Sequence, residues 1–361
     1  MNSQFYGSCC EVSMTPIVTS VRSLKHRCLT TLKALTPQIS SLAVHNCFLY
    51  AASVNEIYVF DLSNYSHIDT LSTNDPTTGS IKSVAFHKRE IFTAHQDCKI
   101  RVWKLTPSKE HHLVTTLPTV KDRFNRFLFS RNYVRVRRHK KRLWIEHWDT
   151  VSGLAVHGET MYSVSWDKSL KTWDTSNHRC LESIIAHEDA INTVAVSSDG
   201  TVYTGSADGL IRVWGKVGKK RKHSLVTTLD KHKSTVNALA LSDDGSLLFS
   251  GGCDRSILAW QRDDDDHMKL VQKLWGHAGA ILCLINVDHL LVSGSEDCTV
   301  RIWEHGKKPN GFDCMFVLEG HERPVKSVVA ISNKGAGACN GPFSICSGSL
   351  DGEIKIWEVS N

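Results

Sequence analysis

The residue types in this sequence that could do chemistry are serine or threonine, histidine and aspartate, which together can activate a hydroxyl group as a nucleophile. In six stretches, a Ser or Thr lies four residues before an Asp, and a Trp follows that Asp by six residues. A His precedes five of these stretches. The five complete sets are His147/Ser163/Asp167/Trp173, His187/Thr204/Asp208/Trp214, His232/Ser250/Asp254/Trp260, His277/Ser293/Asp297/Trp303 and His321/Ser347/Asp351/Trp357.

The repetition of these sets favours architecture over catalysis. A hydrolytic site needs one exposed nucleophile in one pocket, whereas five copies of one constellation, each with its own Trp, suit a repeated structural unit. The N-terminus lacks a secretory signal pattern, so we expect the 12 cysteines to be reduced thiols. None of them forms a Cys-x-x-Cys pair, so we expect no zinc site. We therefore predict no catalytic residue, no bound cofactor and no metal.

The elements that carry these residues are short β-strands. Leu210, Arg212 and Trp214 alternate with Ile211 and Val213, which is the period of a strand. A weaker first copy from Ala52 to Phe60 brings the number of units to seven, and Leu35 and Thr77 take the His position in the first two. Each unit predicts a four-stranded antiparallel sheet with its Asp in the turn between the second and third strands.

These motifs resemble those of the WD-repeat family over nearly the whole chain. The resemblance rests on Gly276-His277, Gly320-His321, the Trp endings and Trp173-Asp174. It implies an all-β fold, a seven-bladed β-propeller. It also implies that each Trp indole N–H donates to the Ser or Thr hydroxyl, which contacts the His, which in turn contacts the Asp. Each buried polar group then has a partner.

Closure of the ring is also predicted from the sequence. After Trp357 only four residues remain, too few for the outer strand of the last unit. His26-Arg-Cys-Leu29 repeats His178-Arg-Cys-Leu181, which lies in an outer strand of the third unit. We therefore expect an N-terminal strand near Arg27 to Leu32 to complete the last blade and remove its open edge. The expected organisation is a disordered tail at residues 1–22 and a propeller at 23–361.

One connection departs from the repeat. Trp103 and Trp173 are 70 residues apart, because residues 118–146, hereafter the insert, lengthen the connection between blades two and three. Pro118 to His147 contain ten Lys or Arg against two acids, mixed with aromatic residues. Such a composition is unlike that of a solvated loop. The sequence of the insert resembles that of the plant JINGUBANG-like WD-repeat proteins around Asn132-Tyr133 and Arg137 to Trp144. This resemblance implies a regulatory adaptor.

The predicted partner-binding residues lie in and beside the insert. Trp166 directly precedes the turn Asp of unit three, where the other units have smaller side chains. We expect Trp144 and the cluster from Arg135 to Arg142 to lie near Trp166, either as a docking site for an acidic partner or with Trp166 packed under the insert. The candidates are Arg135, Arg137, Arg138, Lys140, Lys141, Arg142, Trp144, Trp148 and Trp166.

The favoured function is a non-enzymatic protein-interaction scaffold of regulatory type, acting as a monomer. Nucleic-acid binding through the basic insert is an alternative, although charge elsewhere is nearly balanced and the net charge is only +6. A substrate receptor of a ubiquitin ligase is a further alternative. No apolar run is long enough for a membrane span, so we expect the cytoplasm, the nucleus or both. Lys219 to Lys222 fit a nuclear import signal or a solvated turn equally well.

Overall fold

The protein is a seven-bladed β-propeller in the computed structural model, as predicted. The structure describes residues 25–33, 38–73, 75–106, 110–137, 139–216, 222–263, 267–305, 311–331 and 343–360. The expected tail at residues 1–22, Arg138, the side chain of Arg137, and Lys219 to Arg221 of the predicted import signal lie outside these ranges. In the part of the chain that is described, no helix is long and apolar enough to cross a membrane.

Each blade is a four-stranded antiparallel sheet whose strands follow one another from the axis outward. The first strand of the chain is β1 (Lys25–Lys33). Blade 1 consists of β2 (Ser41–His45), β3 (Phe48–Ala52), β4 (Glu56–Asp61) and β5 (His67–Ser72). Blade 2 consists of β6 (Ile81–His87), β7 (Glu90–His95), β8 (Ile100–Leu105) and β9 (His111–Leu117). The insert contains α1 (Val120–Phe127) and the hairpin β10 (Tyr133–Arg137) and β11 (Lys140–Leu143).

Blades 3 to 6 follow the same order without interruption. Blade 3 consists of β12 (Val151–His157), β13 (Thr160–Ser165), β14 (Ser169–Asp174) and β15 (Cys180–Ile185). Blade 4 consists of β16 (Ile191–Val196), β17 (Val202–Ser206), β18 (Ile211–Gly215) and β19 (Ser224–Leu229). Blade 5 consists of β20 (Val236–Leu241), β21 (Leu247–Gly252), β22 (Ile257–Arg262) and β23 (Met268–Leu274). Blade 6 consists of β24 (Ile281–Val287), β25 (Leu290–Ser295), β26 (Val300–His305) and β27 (Phe312–Leu318).

Blade 7 joins the two ends of the chain. It consists of β28 (Val325–Ile331), β29 (Phe343–Ser349) and β30 (Glu353–Ser360), with β1 as its outer strand. Cys28 pairs with Trp357 and Leu32 with Ile354, so the predicted N-terminal clasp is confirmed. Without β1, the outer edge of β30 would expose unpaired backbone groups.

The core lies between neighbouring blades rather than at one centre. The inner strands contact one another around the ring, and each gap between sheets holds its own cluster of buried side chains. Ile211 of blade 4, for example, packs in one cluster with Val236 and Leu258 of blade 5. Because every blade buries both faces against neighbours, the disc is a rigid support for the loops and for the insert.

Candidate interaction surface

The five Ser/Thr–His–Asp–Trp sets come together as buried hydrogen-bonded chains. The Trp Nε1 donates to the Ser or Thr hydroxyl over 2.8–3.0 Å. That oxygen lies 2.8 Å from His Nε2. The His Nδ1 lies 2.8–3.2 Å from the nearer Asp oxygen. In order from the indole to the carboxylate, the chains are Trp173, Ser163, His147 and Asp167; Trp214, Thr204, His187 and Asp208; Trp260, Ser250, His232 and Asp254; Trp303, Ser293, His277 and Asp297; and Trp357, Ser347, His321 and Asp351.

The hydroxyl groups of these sets are inaccessible to solvent, whereas a catalytic nucleophile must be accessible to its substrate. The residues that carry them have an exposed fraction of 0%, so no substrate can reach these oxygens. They are Ser163, Thr204, Ser250, Ser293 and Ser347. The five indoles beside them, including Trp260 and Trp303, are at most 5% exposed. The arrangement therefore suits a structural role in each blade.

The electrostatics of these sets also suit a structural role. Burial lowers the pKa of each of the five imidazoles, and the neighbouring Asp opposes this only in part. Burial raises the pKa of Asp297, but the hydrogen bond from Thr299 and the proximity of His277 outweigh it and hold the pKa at about 2. At neutral pH each set therefore pairs a neutral imidazole with a carboxylate. The carboxylate also fixes the connecting loop, since the backbone N–H of Trp148 donates to Asp167.

Blade 2 builds the same network with a histidine that the repeat pattern did not predict. Trp103 Nε1 donates to the Thr93 hydroxyl over 3.0 Å, and that oxygen lies 2.8 Å from Nε2 of His95, which comes from the end of β7. Asp97 forms a bidentate ion pair with Arg101 rather than a hydrogen bond with an imidazole. Burial, followed by the charges of Arg101 and Lys99, lowers the pKa of His95 to about 3. The available signal was the His two residues after Thr93, where other units have Ser or Gly.

A second repeated network joins neighbouring blades and was also missed. The Tyr50 hydroxyl of blade 1 lies 3.2 Å from Nε2 of His111 in blade 2, whose Nδ1 lies 2.7 Å from Asp69. Tyr162, His223 and Glu182 repeat this arrangement between blades 3 and 4. Tyr162 directly precedes Ser163 of a set, but Tyr50 precedes Ala51 in the weaker first unit, and in both cases the His that pairs with the Tyr belongs to the next unit.

The insert is fastened to the outer strand of blade 3 through the polar side of α1. Thr119 caps the helix by accepting from the Asp122 N–H. The buried Asp122 carboxylate accepts from the backbone N–H of Cys180 over 3.2 Å and pairs with Arg126 over 2.9 Å. Arg126 in turn donates to the Cys180 carbonyl and lies over the ring of Trp144 at 5.0 Å. The helix thus supplies both partners that the free edge of β15 requires at Cys180.

The opposite side of α1 carries apolar side chains into solvent. The outward stripe consists of Val120, Phe124, Phe127 and Leu128, which follow one another at i, i+4, i+7 and i+8. Their exposed fractions are 83%, 65%, 42% and 71%. The rings of Phe124 and Phe127 are 5.3 Å apart, and the exposed Phe129 follows directly in the chain. Such a stripe normally faces a core, so its exposure marks a surface that can receive a partner.

The basic residues of the insert divide between anchored and exposed ones. Arg135, Lys140 and Lys141 are exposed on the β10–β11 hairpin. Arg142 is half-buried and donates to the His147 carbonyl. Trp144 is half-buried as well, and its carbonyl accepts from Lys171 over 2.6 Å. Arg137 and Arg138 have no described side chain.

Trp166 lies in a different place from Trp144. It is 40% exposed and lines a cavity at the propeller axis, where Lys82 Nζ is 5.9 Å from the centre of its ring. Trp144 instead packs at the outer side of blade 3 against Arg126 and Lys171. The expected neighbourhood of Trp144 and Trp166 is therefore corrected. The insert is bound to the outer strand, whereas the β13–β14 turn faces the axis.

The described residues contain no group of three or more His, Cys, Asp or Glu side chains that could hold a metal ion. What they present is a rigid disc with an exposed apolar and basic insert on its circumference and an open cavity at its axis. These features are suited to contact with other molecules.

Comparison with known proteins agrees with the repeat structure. Residues 178–215, 223–261, 268–304 and 312–358 match the family model described as WD domain, G-beta repeat. The DENN domain and WD repeat-containing protein SCD1 of Arabidopsis thaliana is 29% identical over 187 residues, 51% of this chain and 14% of that protein. The small ribosomal subunit protein RACK1y of Oryza sativa subsp. japonica is 32% identical over 163 residues, 44% of each chain.

A third relative is the pre-mRNA-splicing factor cwf17 of Schizosaccharomyces pombe, 28% identical over 161 residues, 44% of this chain and 42% of that protein. The aligned regions cover less than half the length of these three relatives. The matched repeats, the seven four-stranded blades and their buried Trp-centred networks together support assignment of the chain to a WD-repeat family.

Proposed function

We propose that this protein is an interaction scaffold that docks a partner protein on the outward stripe of α1. The observation that carries the proposal is the orientation of this helix. Its polar side holds the edge of β15 through Asp122 and Arg126, while its apolar side faces solvent. A helix folded only to cover the blade would bury its apolar side, because burial of each large apolar side chain stabilises by about 1.5–3 kcal/mol.

Charge defines the kind of partner. Both acids between Pro118 and His147 are engaged within the insert, Asp122 by Arg126 and Glu146 by Arg123. The exposed Lys121, Lys140 and Lys141 therefore leave an excess of positive charge around the stripe. A partner segment with apolar residues on one face and acidic residues beside them would complement it. The resemblance of the insert to JINGUBANG-like proteins supports a regulatory adaptor role, in the cytoplasm or the nucleus.

The test compares two double variants of the full chain in quantitative affinity purification. Phe124→Ser with Leu128→Ser removes the stripe. Leu225→Ser with Val226→Ser is the matched control, because these side chains of β19 are 47% and 55% exposed. We expect the first variant to recover at least about tenfold less of specific acidic partners, because two apolar side chains that the partner would bury are removed. Its melting temperature should be unchanged, because both side chains are exposed in the free protein. Equal recovery of the same partners by both variants would refute the proposal.

Direct binding of nucleic acid is the second candidate, favoured by Arg135, Lys140 and Lys141 beside the exposed Tyr133. Stacking of bases on Tyr133 and contacts from these cations to phosphates would produce affinity that falls steeply with salt. Titration of a single-stranded RNA oligonucleotide at several salt concentrations separates the candidates. Retention of RNA affinity in the stripe variant, with loss in Lys140→Glu/Lys141→Glu, would favour nucleic acid as the partner.

A further inference from the structure

The mouth of the central channel is lined by one equivalent residue from the start of each inner strand. Each of these seven residues directly follows a buried aliphatic residue, which begins the inner strand in blades 2 to 7 and is Ile39, just before β2, in blade 1. They are Ser40, Lys82, Ser152, Asn192, Asn237, Leu282 and Lys326, and they surround a cavity of about 320 Å³ together with Trp166 and Leu350.

Four of these positions hold neighbouring blades together. The Ser40 hydroxyl donates to the Ile81 carbonyl of the next blade over 2.6 Å, and Ser152 does the same to Ile191. The side-chain amides of Asn192 and Asn237 donate to the first strand carbonyl of blades 5 and 6. At these joints a neutral side chain has a structural task.

The two lysines are not used in this way. At the joint between blades 2 and 3, Ser83 accepts from the Leu154 N–H over 3.2 Å. At the joint between blades 7 and 1, Ser327 accepts from the Leu42 N–H over 2.8 Å. In both cases the residue after the lysine makes the bond between the blades. Lys82 and Lys326 are thereby left to face the channel mouth.

The surroundings of these lysines favour an anion. None of the residues that line the cavity is acidic, and neither lysine forms an ion pair with a residue that the structure describes. Burial and the charge of Lys326 lower the pKa of Lys82, so the two ammonium groups repel each other across the mouth. An anion between them would reverse this unfavourable interaction. Two facing ammonium groups are matched best by a dianion, and a phosphate monoester carries about −1.5 to −2 charges at pH 7.

We propose that the channel mouth is a phosphate-binding site in which Lys82 and Lys326 hold the phosphate and Trp166 contacts the apolar part of its carrier. The exposed ring of Trp166, beside Lys82, supplies a flat apolar wall to this site. The site is separate from the insert surface and does not depend on the function proposed for it.

The experiment measures binding of two probes to the full chain at low salt. A fluorescein-labelled peptide with one phosphoserine is followed by fluorescence anisotropy, and inorganic pyrophosphate is tested as competitor and by calorimetry. We expect saturable binding of at least one probe. We expect Lys82→Gln/Lys326→Gln to weaken it at least tenfold with the melting temperature held or raised, because a like-charge repulsion is removed. Lys216→Gln/Lys222→Gln, which removes the same charge from two exposed positions, one after β18 and one before β19, should bind within twofold of the unmodified protein.

The two probes distinguish a phosphate carried by a protein from a free phosphate. Tighter binding of the phosphopeptide than of its serine counterpart and of pyrophosphate would identify a modified protein as the ligand, and the reverse order would identify a small phosphate. Absence of saturable binding of both probes, or equal losses in the two double variants, would overturn the proposal. If the Lys82 change prevents folding, the single variant Lys326→Gln carries the test, since this side chain is exposed.

Discussion

At the scale of single residues, the buried networks show that position in a repeat matters less than the bonds to be satisfied. His95 reaches Thr93 from within β7, whereas the five other imidazoles enter from the loops between blades. Its Nδ1 is without a hydrogen-bond partner among the described residues. Blade 2 thus keeps the bond to the hydroxyl but lacks the bond to the turn Asp, which costs free energy in a buried site.

The first prediction tests this exchange of positions. His95→Ser should lower the free energy of unfolding by about 1–3 kcal/mol, because Thr93 loses its imidazole partner. Adding Thr77→His should restore part of that loss. Thr77 is in register with His147, since Ser80 and Thr150 accept equivalent backbone bonds from Gln96 and Trp166. Urea denaturation of both variants measures the difference. A double variant no more stable than the single one would show that the loop of blade 2 cannot deliver an imidazole.

The residues that sequence reasoning placed well are those whose partners recur at fixed spacing. In blade 6, for example, His277, Ser293 and Asp297 could be grouped because the same separations recur in other units. Tyr162 and His223 belong to different units, and nothing in the spacing of one unit connects them. The position of Trp144 relative to Trp166 required knowledge of the course of the insert. That course depends on a contact between Asp122 and a backbone N–H, which no pattern of side chains reveals.

At the scale of elements, β1 and α1 illustrate two kinds of edge protection. β1 extends blade 7 by backbone pairing along the whole of β30. α1 covers the edge of blade 3 only at Cys180, through side chains. The clasp was predictable because the chain repeats a segment of known position. The helix was not, because the insert has no second copy and its apolar stripe points away from the blade, against the usual rule for surface helices.

The second prediction concerns β1. Removal of residues 1–33 should lower the melting temperature strongly and promote association, because Trp357 and Ile354 lose their paired neighbours and the edge of β30 becomes available to other chains. Removal of residues 1–20 leaves β1 intact and is the control. Thermal unfolding and light scattering of the two truncated proteins provide the measurement. Identical melting of both would mean that the clasp contributes nothing to stability.

At the scale of the whole molecule, five of the seven blades share one response to acid. The five imidazoles of the complete sets have folded-state pKa values below the ordinary value of 6.5, with burial as the largest cause. The unfolded chain therefore binds more protons than the folded one once the pH falls below about 6.5. The turn aspartates, whose pKa values are also lowered, add a further loss below about 3.8.

The third prediction follows from this linkage. Between pH 6.5 and 5.5 the free energy of unfolding should fall by at least about 2 kcal/mol, since each imidazole that stays neutral contributes up to about 1.4 kcal/mol per pH unit. Urea denaturation at constant ionic strength measures the slope. His277→Gln should reduce the slope by up to one proton relative to the unmodified protein. A free energy of unfolding that is constant over this range would contradict neutral buried imidazoles.

The pairing of β1 with β30 also has a consequence for how the protein is made. The salt bridge between Arg27 and Glu358 joins residues 331 positions apart. At a synthesis rate of about 5–20 residues per second, the partner strand of β1 is made roughly 17 to 66 s after β1 itself. During that time the early blades can pack, but the ring cannot close. The nascent chain therefore exposes an unpaired strand at one end and an unfinished blade at the other, which is the kind of surface that chaperones bind.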